Sequence, residues 1–360
     1  MSRVLAVTTA LPGPPHDQSA ITEVVAPLVA GDDPRTAGLL RRVHRNSGVR
    51  TRHLALAPGD YASVRDFGQA NDLYLAVGTD LAERAARDAL AAAGVHPTDV
   101  DFVLFTSVTG IGAPSVDAAL VGRLGMREDV KRLPSFGLGC AGGAAGLARV
   151  HDYLTGHPQD TALLVCLELC SLTLQHADAD PAALVASGLF GDGAAAAVVV
   201  GSAHPGGDAA RGPQVVTTRS RLYPGTSGDL GWRVGSSGFR IVLSSGLPEV
   251  VRAEVAGDVK ALLAGQGLDP QDVTRWVVHA GGPRILDAVE EALALPPDAL
   301  AASRASLSAV GNLSSASVLD VLDRTLRTDP PPGGSPGVLL AFGPGVAAEM
   351  LLLRWPPTEG

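Results

Sequence analysis

The chain has 360 residues, 46% of them hydrophobic, and a formal net charge of −9 at pH 7. This length allows a large core formed by two packed α/β units, and the negative charge argues against general nucleic-acid binding. Three cysteines are too few for a disulfide framework, and no apolar run reaches the roughly 20 residues that span a bilayer. Because the apolar start is also too short for a signal peptide, we expect a cytoplasmic protein.

The first distinctive segment is basic. Six arginines and two histidines occur in residues 35–53, where no acidic residue follows the first arginine: Arg35, Arg41, Arg42, Arg45, Arg50, Arg52, His44 and His53. The arginines either form a solvated helix face or bind the phosphates of a cofactor such as coenzyme A, because guanidinium groups match phosphate oxygens. The residues alone leave both interpretations open.

Continuous apolar runs predict buried strands at residues 103–106, 163–167 and 195–200. Such runs are typical of sheets that helices cover on both faces. The pattern therefore predicts a layered α/β fold.

Cys140 lies in a turn of small residues, since residues 135–147 read SFGLGCAGGAAGL. Glycine allows sharp backbone turns and close approach to a ligand. The N-terminus of the helix predicted from Ala141 onward would stabilise a thiolate. We therefore predict that Cys140 is a nucleophile, whereas Cys166, inside an apolar run, is predicted to be structural.

The same glycines match the G-x-G-x-x-G pattern of dinucleotide-binding proteins. That pattern needs a preceding strand, and residues 132–136 do not read as a clean strand of a first βαβ unit. The dinucleotide interpretation is therefore disfavoured.

An internal duplication relates two parts of the chain. Residues 94–106 align without gaps on residues 267–279, and Gly139-Cys140 falls on Gly311-Asn312. Cys140 and Asn312 are therefore expected at equivalent places.

The predicted joint between the two parts is the proline-, glycine- and alanine-rich segment 203–212. It divides the chain into an N-terminal half, residues 1–205, and a C-terminal half, residues 212–360. The first half carries the candidate nucleophile, and the second carries its two candidate partners, His279 and Asn312.

His279 follows a predicted buried strand, where a purely structural histidine would need a hydrogen-bond partner. The duplication places it beside the nucleophile, which favours a catalytic role. The other histidines show no metal-ligand spacing, so no metal site is predicted.

Four segments together resemble the type III polyketide synthases, the chalcone synthase-like branch of the thiolase superfamily. They are the Cys140 turn, HAGGP at 279–283, GNLSSA at 311–316 and FGPG at 342–345. The resemblance runs nearly end to end. It implies a thiolase-like α/β fold of five layers, αβαβα, built from two duplicated halves, and a homodimer. It also implies CoA thioesters as substrates and no metal or redox cofactor.

The resemblance implies a role for each catalytic candidate. Cys140 would attack an acyl-CoA starter, helped by the His279 imidazolium, which lowers the pKa of the thiol. Asn312 and His279 would then stabilise the enolate formed when malonyl-CoA loses carbon dioxide. Ketoacyl-carrier-protein synthase III relatives share this set of residues but usually read His-Gln-Ala-Asn at the histidine.

Further residues match family positions. Phe190 and Phe239 correspond to two gatekeeping phenylalanines between the CoA tunnel and the cavity. Arg42 corresponds to a CoA-phosphate contact, although Leu39 and Asn46 stand where plant members carry lysines. The positions that would line the cavity are Val108, Ala113, Cys170, Thr173, Leu230 and Ser314.

These lining residues are mostly small or apolar, which favours an aliphatic acyl-CoA starter and an alkylpyrone, alkylresorcinol or similar aromatic product. Ala113 stands where plant enzymes place a methionine that reaches the partner's cavity. The alternatives are a synthase primed by malonyl-CoA, as for tetrahydroxynaphthalene, a ketoacyl synthase III-like condensing enzyme, and a non-catalytic scaffold.

Overall fold

A computed structural model describes residues 1–205, 212–328 and 330–356. The N-terminal half contains, in chain order, β1 (Ser2–Ala10), β2 (His16–Asp17), α1 (Gln18–Ala30), α2 (Pro34–Arg45), β3 (Thr51–Arg52), α3 (Phe67–Ala93), β4 (Phe102–Ser107), α4 (Val116–Leu124), β5 (Lys131–Phe136), α5 (Gly142–Gly156), β6 (Thr161–Leu169), α6 (Pro181–Leu189) and β7 (Asp192–Val200).

The C-terminal half continues with β8 (Gln214–Leu222), β9 (Leu230–Gly235), β10 (Gly238–Leu243), α7 (Leu247–Ala264), β11 (Arg275–Val278), α8 (Pro283–Leu293), α9 (Ala301–Val310), α10 (Ser317–Thr328), β12 (Pro336–Gly343) and β13 (Ala347–Arg354). Short 3₁₀ turns, Gly139–Ala141 and Ser314–Ala316, precede α5 and α10. The three strands predicted from apolar runs are confirmed as β4, β6 and β7.

Nine strands form one sheet in the order β11-β12-β13-β8-β1-β7-β6-β4-β5. Two residue pairs, Ser2–Val215 and Arg3–Gln214, join β1 to β8 at its centre. The pairing of strands outward from this junction is the same in both halves. In the N-terminal half, β1–β7 and β7–β6 are antiparallel and β6–β4 is parallel. In the C-terminal half, β8–β13 and β13–β12 are antiparallel and β12–β11 is parallel. The aligned segments place β4 and β11 at the same step, so the duplication is present in the topology.

The side chains of β6 show how the layers are built, because successive residues of a strand point to opposite faces. Leu163, Val165 and Leu167 pack in a cluster with α3 on the outer face. Leu164 and Cys166 pack in a second cluster with residues of α5 and α10. Because α5 and α10 also contact strands of the other half, they form the middle layer. With α3 and α7 outside, this is the predicted thiolase-like αβαβα arrangement.

The expectation that residues 132–136 are not a clean strand was wrong. They belong to β5, which pairs in parallel with β4 at the edge of the sheet. Most β5 side chains are exposed, so this strand lacks the apolar run that marks a buried one.

Most of the predicted joint, residues 206–211, lies outside the described residues, so the division of the chain there stays a prediction. Among the described helices, none combines the length and the apolar character needed to cross a bilayer.

Candidate active site

Cys140, His279 and Asn312 line one cavity of about 710 Å³. Each comes from a different connection: the 3₁₀ turn before α5, the end of β11, and the segment between α9 and α10. Residues from distant parts of the chain therefore meet at one surface, as the duplication predicts.

Glycines shape the turn that carries Cys140. Gly137 and Gly139 have φ angles of 93° and 49°, which glycine adopts without the strain of a side chain. Cys140 is half-buried, and its Sγ lies 3.8 Å from the Ser314 Oγ. The thiol thus sits at the start of α5, where free N–H groups favour negative charge.

His279 is held by its backbone while its ring is left free to react. Its N–H donates to the Leu340 carbonyl at 2.8 Å, which continues the β11–β12 pairing by one residue. The side chain is 2% exposed, and neither ring nitrogen has a hydrogen-bond partner among the described residues. Leaving both nitrogens of a buried imidazole without hydrogen bonds costs free energy, which favours a ligand in the cavity as their partner.

Asn312 is oriented by its own neighbours. Its Oδ1 accepts from the Ser314 backbone N–H at 2.8 Å and from the Ser317 Oγ at 3.3 Å. Because the oxygen is engaged, the amide nitrogen is left as the donor. Its backbone also exchanges hydrogen bonds with Leu189 and Gly191 on either side of Phe190.

Burial opposes charge on both members of the Cys140–His279 pair. It raises the pKa of the Cys140 thiol to about 12, although the Ser314 hydroxyl and the Asn312 amide act in the opposite direction. It lowers the pKa of His279 to about 3. A thiolate without an imidazolium beside it is therefore disfavoured, and the two charges must form together by proton transfer.

Glu168, at the end of β6, is a buried carboxylate that the sequence analysis did not assign. It is 0% exposed and accepts from the hydroxyls of Ser315 at 2.6 Å and Thr109 at 2.8 Å. Burial raises its pKa to about 7. The continuous apolar run on both sides of Glu168 is the one sequence signal that could have indicated a buried acid there.

A cluster of aromatic rings, Phe190, Trp232 and Phe239, lies beside the site, and of these three only Phe190 lines the main cavity. Phe190 lines the main cavity, while Phe239, 3% exposed, packs edge-on against Phe67 with ring centroids 5.4 Å apart. Trp232, which the sequence analysis missed, lies 6.3 Å from the rings of both predicted gatekeepers. The two phenylalanines thus belong to one cluster, with the tryptophan of β9 between them.

The predicted lining residues divide among several places. Leu230 lines the main cavity, whereas Cys170 and Thr173 line a smaller one of about 60 Å³ that shares Phe190 with it. Ala113 lines a third cavity near β5.

The two remaining lining candidates, Val108 and Ser314, are buried and bound to Glu168. The Val108 N–H donates to its carboxylate at 3.2 Å and the Ser314 hydroxyl at 3.3 Å. They contact the site through this acid, and Ser314 also contacts Cys140.

The basic segment is not a single surface. Arg42 lines the main cavity, as do Leu39 and Asn46. Arg41 pairs with Glu23 on the surface, and Arg52 is buried. Across residues 1–205, 212–328 and 330–356, no three His, Cys, Asp or Glu side chains are grouped as metal ligands would be.

Comparison with known proteins gives matches over nearly the whole chain. Residues 1–205 match the N-terminal domain of chalcone and stilbene synthases, and residues 214–356 match the C-terminal domain. A 1,3,6,8-tetrahydroxynaphthalene synthase of Streptomyces peucetius subsp. caesius is 55% identical over 98% of this chain and 93% of its own.

Two further relatives extend the comparison. The α-pyrone synthesis polyketide synthase-like protein of Mycobacterium tuberculosis is 31% identical over 93% of this chain and 86% of its own. The crystal structure of 1,3,6,8-tetrahydroxynaphthalene synthase from Streptomyces coelicolor A3(2) superposes with a TM-score of 0.92 at 33% identity, covering 99% of this chain and 100% of that one.

Proposed function

The chain belongs to the chalcone and stilbene synthase family and is a type III polyketide synthase, and from this premise we propose that it uses malonyl-CoA both as starter and as extender. The proposed product is 1,3,6,8-tetrahydroxynaphthalene. The observation that carries the proposal is the 55% identity to a synthase of that name over 98% of the chain, against 31% to the α-pyrone relative. This favours the malonyl-primed alternative of the sequence analysis over an aliphatic starter.

In the proposed mechanism, Cys140 forms a thioester with the starter. Its proton passes to His279, which lies in the same cavity with both ring nitrogens unpaired among the described residues. The thiolate attacks the thioester carbonyl of the starter, the bond to the CoA sulfur breaks, and CoA leaves as a thiol with the proton that His279 had accepted. Because burial disfavours each charge alone, the reaction proceeds from the neutral pair or from the ion pair, and never from an isolated thiolate.

The extension step uses the same cavity. A second malonyl-CoA loses carbon dioxide, and the electron pair of the broken bond becomes an enolate. The Asn312 amide nitrogen, kept as a donor because its oxygen is engaged, and His279 stabilise the enolate oxygen. The enolate carbon then attacks the Cys140 thioester and releases the thiolate.

The aromatic cluster of Phe190, Trp232 and Phe239 provides the residues that we propose shape the growing polyketide. Phe190 and Phe239 would separate the entry from the cavity, because aromatic walls exclude water from a thioester. Cys170 and Thr173 border the smaller cavity behind Phe190. No step calls for a metal or a redox cofactor, because the nucleophile, the proton acceptor and the enolate donors are all side chains of this chain.

A homodimer is also part of the proposal. Ile111, Leu133 and Phe136 are exposed by 45%, 46% and 54%, next to the unpaired edge of β5. An exposed apolar sheet edge is a natural place for another copy to pair. Ala113 lies in the same patch, in agreement with the resemblance that puts its position at the partner's cavity. The cytoplasmic location stays a prediction.

The test is an incubation with malonyl-CoA as the sole thioester, followed by mass spectrometry. The proposal expects tetrahydroxynaphthalene from the parent enzyme and none from Cys140→Ala. A product that appears only with hexanoyl- to dodecanoyl-CoA would contradict it and restore the aliphatic starter. Dependence on an acyl carrier protein would instead indicate the ketoacyl synthase III-like alternative, and no turnover of any thioester would indicate a scaffold.

A further inference from the structure

The basic segment provides fewer phosphate contacts than its composition suggests. Leu39 and Asn46, which carry no charge, line the main cavity beside this segment's arginine Arg42. Of the six arginines, Arg42 alone lines that cavity. The other arginines with described partners are engaged elsewhere: Arg41 with Glu23, Arg50 with Ser308, and Arg52 with Gln18 and Phe190.

A second arginine lines the same cavity. Arg284 follows the Gly281-Gly282-Pro283 segment, in the first turn of α8, and is exposed. Across the described residues, its side chain has neither an ion-pair partner nor a hydrogen bond. Arg304, on the neighbouring α9, is bound to Asp287 at 2.8 Å and to Glu290. No ion pair or hydrogen bond within the described residues therefore holds the Arg284 side chain in place.

The chain just after α2 contacts the start of α8. A Cβ on Gly48, just after α2, would lie 3.1 Å from the Pro283 Cγ at the start of α8. Two residues further on, the chain contacts α9, where the Arg50 N–H donates to the Ser308 carbonyl at 2.8 Å. Arg42 and Arg284 are both exposed and line the same cavity, in which the catalytic cysteine, histidine and asparagine are more deeply buried.

We propose that Arg284 binds a phosphate group of the CoA thioester together with Arg42, which lines the same cavity. The inference rests on the proposed function only in that CoA thioesters are the substrates; it does not depend on which starter is used. A guanidinium group offers paired N–H donors that fit phosphate oxygens, and it keeps its charge at any working pH. Arg284 would be a positioning residue, since it would hold the substrate far from the reacting carbons.

One acidic group also faces the cavity. Asp180 lines it, and its carboxylate accepts the Ala182 N–H at 2.9 Å as the N-cap of α6. A single arginine would only balance this negative charge among the side chains that line the cavity. Two arginines leave the entrance positively charged, which is what an anionic substrate requires.

The test measures malonyl-CoA decarboxylation by the parent, Arg284→Ala, Arg42→Ala and the double variant, with S-malonyl-N-acetylcysteamine as a thioester that lacks phosphates. We expect Arg284→Ala to raise KM for malonyl-CoA roughly tenfold with kcat within about twofold, the loss typical of one charged hydrogen bond. With the phosphate-free thioester, kcat/KM should stay within about twofold of the parent. Arg284→Lys should recover part of the loss.

Arg45→Ala is the matched control, because Arg45 is an exposed arginine of α2 that does not line the cavity. It should leave KM unchanged, although it removes the same charge. Calorimetric titration with CoA gives a readout without turnover, and Arg284→Ala should weaken binding by the same factor.

Equal losses with both thioesters, or an unchanged KM for malonyl-CoA, would overturn the inference. Failure of the proposed product is a separate result, since it would appear in the parent enzyme while the decarboxylation assay still reports on Arg284.

Discussion

Cys140 and Asn312 occupy equivalent places in the two halves and yet offer opposite chemistry. Each follows a glycine with positive φ, Gly139 at 49° and Gly311 at 73°, and each precedes a central helix. The first turn comes after the exposed edge strand β5, whereas the second comes after helix α9. A glycine with positive φ therefore precedes a half-buried thiol in one half and a buried amide in the other.

The difference between the turns lies in their surroundings. The hydrogen bond between the Cys140 Sγ and the Ser314 Oγ is long, 3.8 Å, whereas the Asn312 Oδ1 accepts hydrogen bonds of 2.8 Å and 3.3 Å from Ser314 and Ser317. A nucleophile must be free to change partners during a reaction, and an oxyanion donor must already be in place. The duplicated frame thus supplies the position, and the local hydrogen bonds decide the role.

The largest effect is expected from Cys140→Ala. Removing the thiol should abolish both acylation by the starter and product formation. The fold should remain intact, because the substitution is small and the side chain is half-buried. Intact-protein mass spectrometry after incubation with substrate measures acylation, and a melting curve checks the fold. Acylation at another residue would show that this turn does not carry the nucleophile.

Asn312→Ala should affect one half-reaction, the decarboxylation of malonyl-CoA, much more than the other, the loading of Cys140. Malonyl-CoA decarboxylation should fall by on the order of 10²–10³, the usual loss for one oxyanion donor, while loading of Cys140 with starter largely persists. Parallel assays of carbon dioxide release and of acyl-enzyme measure the two half-reactions. If both fall by the same factor, the division of roles between the turns is wrong.

His279→Gln tests whether the imidazole offsets the burial of the thiol. Burial raises the pKa of Cys140 to about 12, and an imidazolium partner acts against it. In the parent, we expect iodoacetamide to label Cys140 near pH 6, and in the variant the labelling rate at that pH should fall by roughly a hundredfold. Peptide mass spectrometry provides the rates, with buried Cys166 as the internal reference. An identical pH profile in both proteins would exclude the ion pair.

Gly311→Ala should have the smallest effect of the four. A Cβ there would lie 2.8 Å from the Leu189 carbonyl oxygen at a positive φ, so we expect a loss of about 1–3 kcal/mol in the free energy of unfolding. Gly139→Ala, whose Cβ would lie 2.6 Å from Pro344, should cost a similar amount. Gly257→Ala, on α7 with open space around it, is the control and should not destabilise. Urea unfolding measures all three, and equal stabilities would show that neither turn needs its glycine.

Several features of the site could be predicted from the residues. Small residues around Cys140 predicted a turn before a helix, and apolar runs predicted β4, β6 and β7. The alignment of residues 94–106 on 267–279 predicted that both segments end in equivalent strands. These signals lie within one segment or repeat between the two halves of the chain, so the elements can be predicted from them without knowing which residues are in contact.

Other features were decided only by the tertiary structure. β5 was missed because an edge strand needs no apolar run, and Trp232 has no motif around it. Arg284 directly follows the HAGGP segment, but nothing in the sequence shows that it lines the same cavity as Arg42. Glu168 becomes a buried acid only because hydroxyls from distant segments close around it. A sequence pattern indicates whether a residue of a helix or strand is buried or exposed, but it does not indicate which other helices and strands pack against it. The partners of a buried charge and the residues that line a cavity depend on this packing.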